Sequence, residues 1–361
     1  MAAVPSSASS NVITLTRPAS LAPAKWLDGR SFDSLLIGGV FGLAMLAALA
    51  MFFAPSLFFP ILVADLWLLG YHHVIGTFAR VGFETDGFRR YRALFTWVPV
   101  AVIVAVAALA LGVGAWTLPS IYLYWQWWHY TRQSYGIAQL YRLKTGDPNR
   151  SLREMMAVVY LLPITGILYR SYQAPKEFLD IELKVIPMAP ELVTVFALAS
   201  VGALGLYAVR QLGAIRAGTF SLPYNAFLAS HLIVFGIAYF ALSINHGWLV
   251  VNVWHNAQYL LMVWLFNNKQ FKDQFVPERA IASKLSQRKH VMLFFGATLA
   301  LSTVAYLVLG VTAGLLTSSA LPIALMAYQS INFHHYIVDS FIWKSRRPKV
   351  REELGLQQAA A

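Results

Sequence analysis

Six of the nine histidines lie inside strongly apolar stretches: His72, His73, His129, His255, His334 and His335. A neutral imidazole can ligate a first-row transition metal or carry a proton. Inside a membrane-length segment such a side chain costs free energy, so it persists there mainly when it binds or relays something. The neighbouring polar residues recur at the spacing of one helical face. Asn252, His255, Asn256 and Tyr259 form one stripe; Gln126, His129, Gln133 and Gly136 form a second; Gln329, Asn332, His335, Tyr336 and Asp339 form a third. Gly76 follows one turn after His72 and His73 and permits close helix approach. Each stripe reads as a ligand with its support, because a ligating imidazole normally donates its other N–H to a carboxylate or carbonyl. The pattern predicts a shared metal site with all six histidines as ligands. Asp339, one turn beyond His335, would orient it or ligate directly, and Arg132 and Gln133 would act on the reacting groups.

The elements that must position these residues are long apolar helices. The chain has 361 residues, 58% of them hydrophobic and 12% charged, against about 25% charged in soluble domains. Ten stretches have the length needed to cross a hydrocarbon core. They fall near 33–53, 56–79, 95–116, 119–141, 153–171, 188–210, 223–244, 247–267, 291–315 and 320–343. Pro55, Trp116 to Pro119, Asn245 to Gly247 and Thr317 to Ser319 mark short turns between them. The expected fold is an all-α polytopic bundle of about ten transmembrane helices, residues 31–343, between an Ala-, Ser- and Pro-rich disordered tail at 1–30 and a basic tail at 344–361. No apolar core precedes a cleavage site near the start, so the first tail does not read as a secretory signal. With this division, twenty-four of the 28 Lys and Arg fall on one side. By the positive-inside rule that side is cytoplasmic and holds both termini. The net charge of +12 then faces anionic headgroups, and nucleic acid is not implied as a partner. The expected location is a bacterial inner membrane. The segment 172–187 reads as a short interfacial helix outside, Pro163 reads as a break in the fifth span, and Ser283 to Lys289 read as a headgroup contact.

The polar stretches sit in the second, fourth, eighth and tenth spans, which all run in one direction, and the first, third and ninth spans are nearly pure scaffold. At 1.5 Å per residue, His72, His73, His334 and His335 lie roughly 10–14 Å from the cytoplasmic ends and His129 and His255 roughly 18 Å. That is one layer in the inner half. Other polar residues have plainer readings. The face of His231 is apolar and suits a helix–helix hydrogen bond, while His246 and His290 lie at span ends. The Trp125, Trp127 and Trp128 group reads as interfacial anchoring, and Asp65 as a polar contact. Arg132 is permanently charged inside a span and requires an anion; Asp339, Asp65 or a substrate headgroup are the options.

There is no cysteine, which removes disulfides, thiolate metal sites and thiol catalysis. Several imidazoles with a carboxylate suit non-haem iron, and two HH pairs could supply one ion or a dinuclear centre. A buried iron site with open positions activates O₂ and reaches unreactive bonds of a lipid or isoprenoid, with a reductant, where needed, arriving from the cytoplasm. In this the chain resembles the histidine-rich integral membrane iron oxygenases, which include the fatty acid desaturases and hydroxylases and the Brp/Blh-type carotenoid-cleaving dioxygenases. The desaturase spacings HxxxH and HxxHH are absent. The isolated intramembrane histidines look more like the carotenoid-cleaving group, which implies one iron held by single histidines from several helices. Three other chemistries fit parts of the pattern. Axial histidines could hold haem b, although adjacent residues diverge by ~100° and cannot face one macrocycle together. His334 to Asp339 spells HHxxxD, as in acyltransferases with a His base. Polar residues at this depth also suit a proton-coupled transporter.

Overall fold

In the computed structural model, residues 25–84, 86–145, 151–316 and 322–343 are described. The turn at Thr317 to Ser319, Arg150, most of the first tail and all of the basic tail from Lys344 lie outside them. Among the described residues twelve helices follow one another: α1 (Arg30–Phe53), α2 (Pro55–Gly82), α3 (Gly87–Arg90), α4 (Arg92–Gly112), α5 (Thr117–Thr145), α6 (Leu152–Gln173), α7 (Pro190–Arg216), α8 (Leu222–Ala241), α9 (Ile244–Gln270), α10 (Ala280–Leu285), α11 (Val291–Leu316) and α12 (Ile323–Ile342). Eight of them, all but α3, α5, α10 and α12, are long and apolar enough to span a membrane. Helices α5 and α12 have comparable length and fall short of that apolarity because they carry two of the polar stripes.

Burial divides the bundle into a centre and a shell. Helix α9 has 89% of its most apolar window buried, whereas α7 has 6% and α11 has 17%. A helix buried all round is a core helix, and one apolar all round but exposed faces lipid. The start of α9 is pressed against α8: a Cβ at Gly247 would stand 2.0 Å from the Ala238 carbonyl oxygen. Ser243 caps α9, its hydroxyl accepting from the His246 amide at 3.3 Å, and Ser151 caps α6 by accepting from the Glu154 amide. His231 is fully buried, with Nε2 3.0 Å from the Val159 carbonyl oxygen, which is the helix–helix bond its apolar face suggests.

Polar contacts gather the helix ends. Lys25 donates to the Thr145 carbonyl at 2.6 Å, Asp28 pairs with Lys269 and with Arg288, and Asp33 accepts from Tyr141 at 2.7 Å. Arg279 reaches the Gly82 carbonyl at 2.9 Å. These segments therefore share one end of the bundle. At the other end Arg170 donates to the Ala238 and Leu242 carbonyls, and the Lys184 amide donates to Ser120.

Three local expectations are corrected. The segment 172–187 forms a small antiparallel hairpin, β1 (Glu177–Phe178) and β2 (Ile181–Glu182), and not an interfacial helix. Its two-residue turn has positive φ at both Leu179 and Asp180, which matches the right-handed strand twist. The hairpin is held because Phe178 is buried against Trp248 and Tyr122. Helix α6 continues through Pro163 without a break. Ser283 and Ser286 are fully buried, where Ser283 accepts from the Val276 amide, so only part of that polar run is a surface.

Candidate metal centre

Helix α2 contains one π turn at Leu66–Gly70, closed by the Tyr71 amide on the Leu66 carbonyl. A π turn inserts one residue. In a regular α-helix, at 100° per residue, His72 would share the face of Asp65 to within ~20°; the insertion moves that alignment to His73. Both Asp65 and His73 consequently face α9. Asp65 accepts from Asn252 at 2.5 Å and from Asn256 at 3.3 Å. A Cβ at Gly70 would lie 3.5 Å from the Asn256 amide nitrogen, so the two helices meet closely at this level.

Below that contact four imidazoles from four helices close into a ring. Going round from His73 on α2 to His255 on α9, His129 on α5, His335 on α12 and back to His73, the ring centroids are 5.4, 4.9, 5.2 and 4.6 Å apart. The Nε2 atoms of His73 and His335 are 3.1 Å apart. Asp339 Oδ2 stands 3.5 Å from His335 Nε2 and 3.7 Å from His129 Nε2. Two sets, His73 with His255 and His335, and His129 with His335 and Asp339, each offer ligand atoms within 4.8 Å of one another. Every one of these residues is buried.

The donor set fits a first-row cation. Ligand atoms ~2.1 Å from one ion and set 90–110° apart would be ~3.0–3.4 Å from each other, and their ring centres ~4.5–5.2 Å. Ring centres 4.6, 4.9 and 5.2 Å apart and the 3.1 Å nitrogen separation fall within those values, while the 5.4 Å ring pair and the 3.5 and 3.7 Å carboxylate distances lie just beyond them. Both ring nitrogens of His255, together with Nε2 of His129, are buried without a hydrogen-bond partner. Unpartnered imidazole nitrogens cost free energy in a low-dielectric interior, and a cation in the cluster would satisfy His129 Nε2 and one of the two His255 nitrogens, which point apart. No Lys or Arg among the described residues pairs with Asp339.

The support around the cluster is hydrogen-bonded. Thr77, one turn after His73, stands 2.9 Å from His335 Nδ1 and 2.7 Å from the Tyr259 hydroxyl. Tyr259 donates to Asp339 Oδ1 at 2.8 Å and accepts from the Trp343 indole at 3.2 Å. Gln133 donates to the backbone carbonyl of His255 at 3.0 Å. The ring of Tyr336 stacks on His129 at 4.5 Å. Further from the carboxylate, Trp248 donates to Gln126, whose amide and the Tyr130 hydroxyl both bond Asn252, which leads on to Asp65. Thr77 was not singled out by sequence reasoning, although its i, i+4 relation to His73 was available there.

The other expected site residues lie elsewhere. His72 Nε2 is 2.6 Å from the Thr298 hydroxyl on α11, and its Nδ1 is 3.2 Å from the Leu68 carbonyl. His334 Nε2 is 2.7 Å from the Leu94 carbonyl on α4, with Phe95 and Phe78 against its ring. Neither belongs to the four-ring cluster. Arg132 pairs with neither Asp339 nor Asp65; it donates to the Tyr160 hydroxyl at 2.7 Å and lies over the Tyr135 ring.

Two sizeable cavities among the described residues reach the cluster. The larger, about 490 Å³, is bounded by His129, Asp339, Tyr259 and Tyr336 at the site and by Trp125, Trp128, Arg132, Gln133, Met262, Phe266 and Trp343 beyond it. Trp125 and Trp128 thus lie within α5 and line a cavity, and not at a helix end as interfacial anchors. The smaller, about 290 Å³, lies between α2, α4, α11 and α12 and reaches Thr77 and His335. Comparison with known proteins adds nothing to this geometry: no protein-family model matches the chain, and no curated protein or solved structure matches it.

Proposed function

We propose that the chain is a polytopic membrane metalloenzyme, with iron held by His73, His129, His255 and His335 beside Asp339, that oxidises a lipophilic substrate with O₂. The observation that carries this reading is the closed circuit of four buried imidazoles beside one buried carboxylate, with ring nitrogens of His73, His129 and His255 lacking a hydrogen-bond partner. Bound iron would supply the activation of O₂. The protein's own part is positional and protic. Thr77 stands within hydrogen-bond distance of His335 Nδ1, and accepting Nδ1–H there would leave the Nε2 lone pair for the ion. Tyr259 holds its proton on Asp339 Oδ1, so Oδ2 is the oxygen turned to His335 and His129. Gln133 fixes the backbone at His255, and Tyr336 fixes the plane of His129. The 490 Å³ cavity, within the ~300–1,000 Å³ range of ligand pockets, seats the substrate against His129 and Asp339. The four rings stand side by side, which favours one or two bare ions over a macrocycle with an imidazole on each face.

Ten spans with both ends of the described chain on the cytoplasmic side of a plasma membrane suit this reading. The contacts of Lys25 with Thr145 and of Asp28 with Lys269 and Arg288 join the basic segments at one end. A reductant, where the reaction uses one, then meets the protein at that end, near Trp343.

The test is metal analysis of the full chain purified in mild detergent, with a visible spectrum. One iron per chain without a Soret band is expected, and a second equivalent would indicate a dinuclear centre. A Soret band would replace this reading with haem. Full activity after exhaustive chelation would leave the His335 and Asp339 pair as a general base for acyl transfer instead.

A further inference from the structure

Arg132 occupies the middle of α5, ~20 Å from either end at 1.5 Å per residue. A guanidinium is a cation with five N–H donors and no acceptor. Such a group at this depth is costly unless an anion or water meets it. Its partners are neutral: the Tyr160 hydroxyl at 2.7 Å and the Tyr135 ring at 4.9 Å. The two acids within the membrane-length segments nearby are engaged elsewhere, Asp65 by Asn252 and Asn256, and Asp339 by Tyr259 and the imidazoles. Arg132 lines the 490 Å³ cavity one helical turn from His129, and Trp125, Trp128, Met262 and Phe266 give that cavity apolar walls.

We propose that Arg132 anchors the anionic head of a long-chain amphiphile, a carboxylate or a phosphate, whose hydrocarbon lies along the tryptophan-lined wall of this cavity. The proposal rests on the reading of the cavity as the substrate seat and not on the metal. It names the substrate class: a lipophile with an ionised terminus and not a pure hydrocarbon. The planar guanidinium offers a second edge beside the one used by Tyr160, which suits two-point binding of a carboxylate or phosphate. Trp128 and Tyr135 line the cavity beside Arg132, whose exposed side chain leaves the guanidinium accessible to a head group entering there.

The experiment measures equilibrium binding of radiolabelled hexadecanoate and of its methyl ester to the metal-free full chain in zwitterionic phosphatidylcholine nanodiscs, each corrected for partition into empty discs. The acid should bind about tenfold or more tighter than the ester, the ratio expected of a charge-assisted hydrogen bond. Arg132→Gln should remove that preference, and Arg132→Lys should keep part of it. Competition by phosphatidylglycerol that also depends on Arg132 would identify a lipid headgroup as the source of the anion; its absence would point to a free acid. Equal binding of acid and ester by the unsubstituted chain overturns the proposal, even where Arg132→Gln fails to fold. So does an acid preference that survives Arg132→Gln. Because no metal is present, a failure of the iron reading leaves this result interpretable.

Discussion

Replacing His255 with leucine separates a ligand from a structural residue, because the two roles have opposite effects on the metal-free protein. His255 is 1% exposed and both of its ring nitrogens lack a partner. In the absence of metal its burial leaves two polar atoms unsatisfied, each costing about 1–3 kcal/mol. Leucine is similar in bulk and apolar, and its altered shape costs about 1 kcal/mol. The metal-free His255→Leu chain should therefore be more stable than its parent by about 1 kcal/mol or more, a rise of ~2 °C in the unfolding midpoint. Metal affinity should move the other way. Binding of ~10–16 kcal/mol shared among four ligands assigns ~3 kcal/mol to each, so affinity should fall about a hundredfold or more. The assay pairs metal content after dialysis against a weak chelator with thermal unfolding of apo and loaded protein in detergent. Metal retained at the parent's stoichiometry would refute the shared centre. A drop of several degrees in the metal-free midpoint would refute the claim that the His255 nitrogens are unpartnered.

Other substitutions probe the surroundings. His72→Phe and His334→Phe each remove one interhelical hydrogen bond and should lower stability by about 1 kcal/mol, with metal content unchanged, as read by thermal unfolding and metal analysis. Tyr259→Phe deletes the hydroxyl shared by Thr77, Asp339 and Trp343; metal affinity should fall ~10–100-fold, the cost of losing outer-shell support, while the helical circular dichroism stays the same. Gly247→Ala forces a methyl against the Ala238 carbonyl, which is backbone and cannot swing aside, and should cost about 3 kcal/mol as a lowered unfolding midpoint. A Cβ at Gly136 meets nothing within 4 Å on the wall of the larger cavity. Gly136→Phe should therefore fold and hold metal yet weaken binding of a lipophilic substrate by about tenfold or more, within the ~1–3 kcal/mol of a single pocket contact.

Much of the bundle was legible because long apolar runs admit few alternatives. The stretch 153–171 corresponds to Leu152–Gln173 and 291–315 to Val291–Leu316, since hydropathy and length are properties of the segment itself. The four helices that meet at the candidate centre were legible too: three carry a polar stripe at helical spacing, and the second span carries its adjacent histidines followed by Gly76. The hairpin at 177–182 was not, because Phe178 is drawn in by Trp248, about seventy residues away. The anion sought for Arg132 among Asp65 and Asp339 was not found there, since the Asn252 and Asn256 amides and the Tyr259 hydroxyl already occupy those carboxylates. The choice within each HH pair was hidden as well. Adjacent residues point ~100° apart, so one of each pair must turn away, and which one depends on how the helix is rotated. In α2 the π turn at Leu66–Gly70 sets that rotation, and helical spacing counted from Asp65 would select His72 instead of His73.

The two outward histidines account for why the pairs are adjacent. A ring nitrogen lies ~6 Å from its helix axis, so a 100° rotation of α2 would carry the His73 nitrogen ~9 Å from the centre, far beyond ligand reach. Helices whose outer faces meet lipid receive no hydrophobic force that fixes their rotation, and packing and interhelical hydrogen bonds must do it. His72 bonds Thr298 on α11, and His334 bonds the Leu94 carbonyl on α4. Each outward imidazole thus ties its helix to a scaffold neighbour at the same height at which its inward neighbour meets the cluster. A tie placed several turns away would leave bending of the helix between lock and ligand, whereas adjacency leaves a single peptide unit. The outward histidine of each pair, His72 or His334, is then a positioning residue, and its loss should broaden the geometry of the centre before it changes the number of ions bound. With iron loaded as the proposal expects, electron paramagnetic resonance of His72→Phe and His334→Phe should show wider lines at unchanged stoichiometry; lines as sharp as the parent's would leave these two histidines with a purely structural bond.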